Sequence, residues 1–156
     1  MKYIKSLAVV LFLCVSCVVQ AQTITATKGT TTIAAFNRFN ERATISWTSN
    51  ATGEVTATIT GIQGELLRAA YKPAVGAASP SNAYDLVITD DDGVDVLAGT
   101  GANLSNTTAT TKSCMATASS SGYVPMAVAG GLTFTLTNAG ASNQGTVRLY
   151  FRRVTR

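Results

Sequence analysis

Strict alternation of apolar and hydroxylated residues is the feature that most constrains the fold of this chain. In four segments every second side chain is apolar, and most of the intervening positions are threonine, serine or arginine. A period of two matches the β-strand, in which successive side chains point to opposite faces of a sheet. Threonine suits the solvated face because its branched Cβ fits a pleated surface while its hydroxyl contacts water. The segments are ATISWTS (Ala43–Ser49), EVTATITGI (Glu54–Ile62), GLTFTLTN (Gly131–Asn138) and GTVRLYFRR (Gly145–Arg153).

Short runs rich in Gly, Asn, Ser and Pro separate these segments, and such residues supply the backbone conformations of tight turns. No window of a dozen residues has a helical period. The chain of 156 residues is long enough for one domain with a core of its own. The sequence therefore predicts an all-β fold, a single antiparallel β-sandwich or jelly-roll of about eight to nine strands.

The N-terminus has the pattern of a secretory signal, which is expected to form a short helix. Lys2 and Lys5 precede an unbroken apolar run, Ser6–Val19, that is short for a membrane span of about 20 residues. Val19 and Ala21 are small residues at the positions that a leader peptidase requires. We expect cleavage after Ala21 and export to the periplasm or the outside of the cell. Lipidation at Cys17 is an alternative that the sequence leaves open.

Cleavage would divide the chain into a signal peptide (1–21), an N-terminal arm or first strand (22–42) and a β-sandwich domain (43–156). Loss of two lysines leaves ten basic and eight acidic residues, a formal charge of +2. So small an excess gives no reason to expect nucleic-acid binding, and no membrane contact is expected once the leader is removed. Cys114 would be the one remaining cysteine, either a small buried residue or a thiol that pairs between chains.

Catalytic chemistry has few candidate residues here. The chain has no histidine, which removes the usual base of a serine or cysteine nucleophile and the commonest metal ligand. Glu41, Glu54 and Glu65 are scattered, so they suggest no pair of glycosidase carboxylates. We expect a protein that is not an enzyme and has no cofactor.

The stretch VITDDDGVDVL (Val87–Leu97) is the strongest local signal, and its pattern is that of a β-hairpin. A three-residue loop of Asp91, Asp92 and Gly93 would place the apolar residues of both arms on matching faces, whereas a shift by one residue would scramble them. The expected pairs are Asp90–Val94, Thr89–Asp95, Ile88–Val96, Val87–Leu97 and Leu86–Ala98.

The same aspartates raise the question of a calcium site. The helix–loop–helix calcium motif is excluded because Ile88 and Gly99 occupy its first and twelfth positions, where oxygen ligands are required. A looser calcium site formed by Asp90, Asp92 and Asp95 remains a hypothesis, since a cation would relieve the repulsion between clustered carboxylates. The alternative is a solvated turn whose aspartates make local hydrogen bonds.

Much of the chain, from Ile45 to Arg152, resembles a group of small uncharacterised proteins from tailed-bacteriophage and environmental viral genomes. The aspartate-rich hairpin is the most distinctive part of this resemblance. Proteins of the group are often encoded near virion structural genes, and the resemblance brings no catalytic residues with it. The segments that carry it are ISWTSNATGEVTATI (Ile45–Ile59), GELLRAAYKP (Gly64–Pro73), SNAYDLVITDDDGVDVLAGTGANLSN (Ser81–Asn106) and PMAVAGGLTFTLTNAGASNQGTVRLYFR (Pro125–Arg152).

The resemblance implies a non-enzymatic virion component, such as a head-decoration, fibre-associated or tail-associated β-domain at the virion surface. Its partners would be other protein subunits, including further copies of itself. A cleavable leader departs from this expectation, because capsid proteins assemble in the cytoplasm. The alternative is a secreted bacterial module that binds surface glycans or proteins, with Trp47, Tyr71 or Tyr123 as a platform on which a sugar ring stacks.

Overall fold

The computed structural model of the protein describes residues 24–37, 42–118 and 122–152. These residues form eleven β-strands and one 3₁₀ turn (Gly76–Ala78), and they include no α-helix. In the same ranges no helix is long and apolar enough to cross a membrane. The predicted all-β fold is confirmed, while the predicted signal helix lies outside the described residues. The strands are β1 (Ile24–Lys28), β2 (Thr30–Asn37), β3 (Arg42–Thr48), β4 (Val55–Ile59), β5 (Gly64–Pro73), β6 (Asp85–Thr89), β7 (Thr110–Ser113), β8 (Met115–Ala118), β9 (Gly122–Val128), β10 (Leu132–Thr137) and β11 (Gln144–Arg152).

The strands build two sheets in which neighbouring strands run antiparallel. The smaller sheet has the order β1-β4-β10-β6. The larger sheet has the order β2-β3-β11-β5-β9-β8, and β7 also pairs with β5. Strands that are far apart in sequence are therefore neighbours, because β11 lies between β3 and β5 and β10 lies between β4 and β6.

The alternation predicted from the sequence is the alternation of burial in the structure. Along β3 and β11, for example, every second residue is buried. The apolar residues of both sheets belong to one continuous core, and burial of each large aliphatic or aromatic side chain contributes about 1.5–3 kcal/mol. The core includes Val55, Ala57, Ile59, Leu132, Phe134, Leu136, Leu86 and Ile88 from the smaller sheet, and Ala43, Ile45, Trp47, Val147, Leu149, Phe151, Leu66, Ala69 and Tyr71 from the larger.

The segment predicted as an arm or a first strand contains two strands that belong to different sheets. β1 pairs with β4, and after a single residue, Gly29, β2 pairs with β3. Gly29 has φ of +66°, and a Cβ at this position would collide with the carbonyl oxygen of Thr48. Glycine thus permits the abrupt passage from one sheet to the other.

The indole of Trp47 fills the space between the sheets. Its ring lies over Gly145, its cross-strand partner on β11, and a Cβ on that glycine would be 2.5 Å from Cζ2 of the indole. On its other side the ring meets Tyr84, just before β6 of the smaller sheet, with ring centroids 5.8 Å apart and tilted by 53°. Trp47 therefore joins the two layers, and it requires glycine at position 145.

Gly145→Ala is expected to lower the free energy of unfolding by about 1–3 kcal/mol, the usual cost of forcing an extra methyl group into a packed core. Chemical denaturation would measure the loss. The double variant Gly145→Ala/Trp47→Phe should recover part of it, because the smaller ring vacates the space that the methyl group needs. Equal stability of the Gly145→Ala variant and the natural protein would contradict the assigned packing.

Candidate functional site

The aspartate-rich turn has the predicted loop. Thr89 and Asp95 form a bridge pair, and the N–H of Asp90 donates to the carbonyl of Val94 at 3.1 Å. The N–H of Gly93 donates to the carbonyl of Asp90 at 3.1 Å, and Gly93 has the left-handed φ of +79°. The loop of Asp91, Asp92 and Gly93 and the register of its first pairs are confirmed.

The second arm of the predicted hairpin ends sooner than expected. The N–H of Val96 still donates to the carbonyl of Ile88 at 2.8 Å. The N–H of Leu86, however, donates to the carbonyl of Gly101 at 2.9 Å, and not to Ala98 as predicted. The predicted pairing of Leu86 with Ala98 is therefore wrong, and Ala98 is exposed.

Asp95 is the physical reason for this early end. Its two carboxylate oxygens accept hydrogen bonds from the N–H of Leu97 at 3.0 Å and of Gly99 at 2.7 Å. Its carbonyl accepts a third, from Ala98 at 3.1 Å. These local bonds compete with a strand ladder and turn the chain away from β6, so the predicted Val87–Leu97 pair does not form either.

The carboxylates proposed for calcium are partly occupied by backbone donors. One oxygen of Asp90 accepts the N–H groups of Asp92 at 3.1 Å and Val94 at 2.8 Å, and Asp95 holds the two donors just described. Asp92 is exposed at the tip. Within the described ranges no three His, Cys, Asp or Glu side chains are grouped in a way that could hold a metal ion. The calcium hypothesis for Asp90, Asp92 and Asp95 remains a prediction, and a calcium-dependent rise in melting temperature would test it.

Asp90→Ala is expected to lower the free energy of unfolding by about 0.5–1.5 kcal/mol, because two solvent-exposed backbone donors lose their acceptor. Asp92→Ala removes the same charge from the same loop and should change stability by less than about 0.5 kcal/mol. Thermal and chemical denaturation of both variants would provide the comparison. Equal effects of the two substitutions would show that charge, rather than hydrogen bonding, governs the turn.

Two of the three residues predicted to stack on a sugar belong to the core. Trp47 and Tyr71 are each only 2% exposed, so neither can present a ring to a ligand. Tyr123 is on β9, but its side chain lies outside the described part of the structure. The aromatic-platform form of the glycan hypothesis is therefore wrong for Trp47 and Tyr71. The reason is that both alternate with other inward-facing residues, as the period of two requires.

Cys114 belongs to a buried polar cluster and is 0% exposed. The hydroxyl groups of Tyr71 and Thr100 are 2.8 Å apart, and the Thr100 hydroxyl lies 3.7 Å from the Cys114 sulfur. Lys112 donates to the Thr100 carbonyl at 2.8 Å. Burial raises the pKa of the Cys114 thiol, although the hydrogen bond with Thr100 acts in the opposite direction. These features favour the small buried residue over a thiol that pairs between chains.

Two buried tyrosines, Tyr71 and Tyr84, make the free energy of unfolding depend on pH in the alkaline range. Burial raises the pKa of Tyr84 from 10.0 to about 12. Burial also raises the pKa of Tyr71 above its ordinary value. The unfolded chain therefore loses these protons at a lower pH than the folded protein does. The stabilisation is complete below the unfolded pKa of 10.0 and is lost as the pH rises through the folded pKa.

The free energy of unfolding is accordingly expected to fall as the pH rises from about 10 to about 12. Denaturation curves in this range would measure the slope. The variant Tyr84→Phe should lose stability less steeply, because it has one buried phenol fewer. An unchanged slope in that variant would contradict the assignment to Tyr84.

The outer face of the larger sheet is the most distinctive surface of the described structure. We call it the basic face, and define it as the solvated side of β3, β11 and β5. The register of these strands creates three successive cross-strand rows, each with at least one cationic side chain. The rows are Arg42–Tyr150–Arg68, then Thr44–Arg148–Ala70, then Ser46–Thr146–Lys72.

The charges on the basic face differ in their partners. Arg152 forms a salt bridge with Glu65, with Nε 2.6 Å from the carboxylate. The guanidinium of Arg68 lies 4.2 Å from the centroid of the Tyr150 ring, a cation–π contact. No ion pair with a carboxylate is made by Lys72 or Arg148 within the described ranges.

A shallow depression of about 370 Å³ lies at one end of the basic face. Lys72 and Arg148 supply positive charge to its lining, and the polar remainder consists of hydroxyl groups and one amide. Such a lining can bind an anion and hydrogen-bond to polar groups around it. The other polar lining residues are Ser46, Thr48, Thr146 and Gln144.

The alternation of GTVRLYFRR (Gly145–Arg153) predicts Arg148 on a solvated strand face, as observed, but it does not identify Lys72, Arg68 and Arg42 as its neighbours. Alternation along β5 predicts that Arg68 and Lys72 lie on the solvated face of the sheet, as they do. It does not reveal that β5 and β3 flank β11, since strand order depends on the tertiary fold.

A second distinctive surface is the ribbon formed by β8 and β9. The strands pair from Met115–Pro125 to Ala118–Gly122, while only the last residues of β9 pair with β5. The sequence has no charged residue between Lys112 and Arg148. Val124 on this ribbon is 45% exposed. In the sheet order β8 is the terminal strand, so the ribbon offers an uncharged sheet edge.

Comparison of the chain with protein-family models, curated proteins and solved structures finds no match.

Proposed function

We propose that this chain is a non-enzymatic structural or assembly protein, a β-sandwich of virion type that associates with other protein subunits at a head, tail or fibre. The observation that carries the proposal is the β8–β9 ribbon. A two-stranded ribbon alone is only marginally stable in water, so addition of a further strand at its outer edge would stabilise it.

The composition of the ribbon supports this role. Proteins that avoid edge-to-edge pairing place lysine, proline or charged residues on their terminal strands. The strand β8 has the sequence Met-Ala-Thr-Ala, which contains none of these. The strand β6, which ends the smaller sheet, is covered by the loop that follows it. Asp95, Val96 and Gly101 of this loop pair with β6, and Leu104 pairs with Tyr84 just before β6. Among the described residues, the fold thus protects the edge at β6 and places no such protection on β8.

Ala116→Lys is expected to shift the full chain towards monomer. The lysine would stand opposite Val124, and its charge would have to be desolvated in an edge-to-edge contact. Thr133→Lys adds the same charge to the exposed face of a central strand and should leave association unchanged. Light scattering coupled to size-exclusion chromatography, over a dilution series, would report the mass. A monomeric natural chain, or equal behaviour of both variants, would overturn association through β8.

The virion assignment has its own test. Genes for portal, capsid or tail proteins beside this gene would support it, and mass spectrometry of purified particles would detect the chain. The N-terminal peptide of the chain in purified particles would show whether the leader has been cleaved. A chain that starts at Met1 in a particle contradicts cleavage after Ala21. Absence from particles, with a processed chain in the periplasm or medium, would overturn the virion role.

A second candidate is a secreted module that binds a surface ligand. The depression between Lys72 and Arg148 favours it, because cationic, hydroxyl and amide groups converge there on a solvated sheet face. This candidate uses a different surface from the β8 edge, so the two functions can be tested separately.

A further inference from the structure

Acidic and basic side chains are unevenly divided between the two sheets of this protein. All five aspartates lie between Asp85 and Asp95, on β6 and the loop that follows it. The basic face has five cations (Arg42, Arg68, Lys72, Arg148 and Arg152) and a single carboxylate, Glu65. Like charges gathered on one face repel each other, and a bound anion would relieve that repulsion.

The cations are also incompletely satisfied by the protein itself. Glu65 neutralises only Arg152. Lys72 and Arg148 flank the depression without an ion pair to any described carboxylate. Arg42 and Arg68 face the same row from β3 and β5, and neither forms an ion pair with a described carboxylate.

We propose that the basic face binds an acidic polysaccharide, a chain of sugars that bear carboxylate or sulfate groups, with one anionic group between Lys72 and Arg148. This inference rests on the second candidate function and names its ligand class. Hydroxyl groups of the sugar would bond to Ser46, Thr146 and Gln144 in the depression.

The spacing of the charges fits a linear polymer. Successive rows on one face of a sheet are about 7 Å apart, and each of the three rows contributes a cation. A chain that runs along β11 would therefore pass Lys72, Arg148 and then Arg68 or Arg42. A small anion could use only one of these rows, whereas a polymer gains from all three.

The same surface is less suited to nucleic acid. Binding of single strands depends on aromatic rings that stack on bases, and the Tyr150 ring is covered by the Arg68 guanidinium. The described part of this sheet also presents no helix that could enter a groove of duplex DNA. Nucleic acid and anionic membranes are therefore competing outcomes for the experiment.

Binding of the full chain to polygalacturonate and to dextran sulfate would test the proposal, with dextran as the neutral match. Isothermal titration calorimetry at low salt should detect binding to the acidic polymers, and added NaCl should weaken it by screening. The polymer that binds more tightly identifies the anionic group as carboxylate or sulfate. Poly(dT) and phosphatidylserine-containing vesicles serve as the other polyanions.

The variant Lys72→Gln/Arg148→Gln should weaken binding of the better acidic polymer by about 10- to 100-fold, through loss of two charge-assisted contacts. Thr58→Glu/Val87→Glu changes the net charge by the same amount on the exposed face of the smaller sheet, and it should bind nearly as well as the natural chain. Melting curves would establish that both variants fold.

Four results would overturn the proposal. Equal weakening by the two double variants would mean that only net charge matters. Binding of poly(dT) or the vesicles as tightly as the better polysaccharide would assign the face to another class of ligand. Dextran could also bind as tightly as the acidic polymers, with binding that Lys72→Gln/Arg148→Gln weakens. That result would overturn the specificity for acidic polymers and leave the second candidate function in place. Absence of binding to both acidic polymers would overturn the proposal and would leave a protein as the ligand class for the second candidate function.

Discussion

Burial of two apolar sheet faces against each other is the interaction on which the rest of this structure depends. Most strands offer only every second residue to that core, so neither sheet has a stable apolar face without the other. Trp47 illustrates the constraint, since it spans from Gly145 on its own sheet to Tyr84 beside the opposite one. Because the core takes the alternate residues, the remaining ones, mostly hydroxylated or cationic, are left for the two outer faces.

The surfaces on which both proposed functions rest are therefore the edges and outer faces of the two sheets. The described edges differ in their protection. The chain after β6 folds back over that strand through backbone hydrogen bonds that Asp95 helps to organise, whereas β8 ends the larger sheet without charge or cover of that kind. The aspartates thus act as backbone acceptors that shape a protective loop, and the uncharged ribbon supports the proposed role in assembly.

The turn that contains three consecutive aspartates shows how far local sequence can be used. Its loop and first pairs followed from the side-chain period, because a shift by one residue would have exposed Ile88 and Val96. The early end of the second arm did not follow, because it depends on side-chain hydrogen bonds of Asp95 that compete with the ladder. Similarly, a single glycine between β1 and β2 separates two strands of different sheets, whereas the sequence alone suggested an arm or one first strand.

The sequence by itself determined the fold class and the orientation of most strand residues, since both depend on a period of two that is local to each strand. It also placed Trp47 in alternation with Ile45, whereas the burial of Tyr71 is seen only in the structure. Only the tertiary structure decided which strands are neighbours. Placing β11 between β3 and β5 brings Arg42, Arg68, Lys72 and Arg148 onto one face, although they are far apart in the chain. Pairing between distant strands is set by packing of the whole core, and no local pattern encodes it.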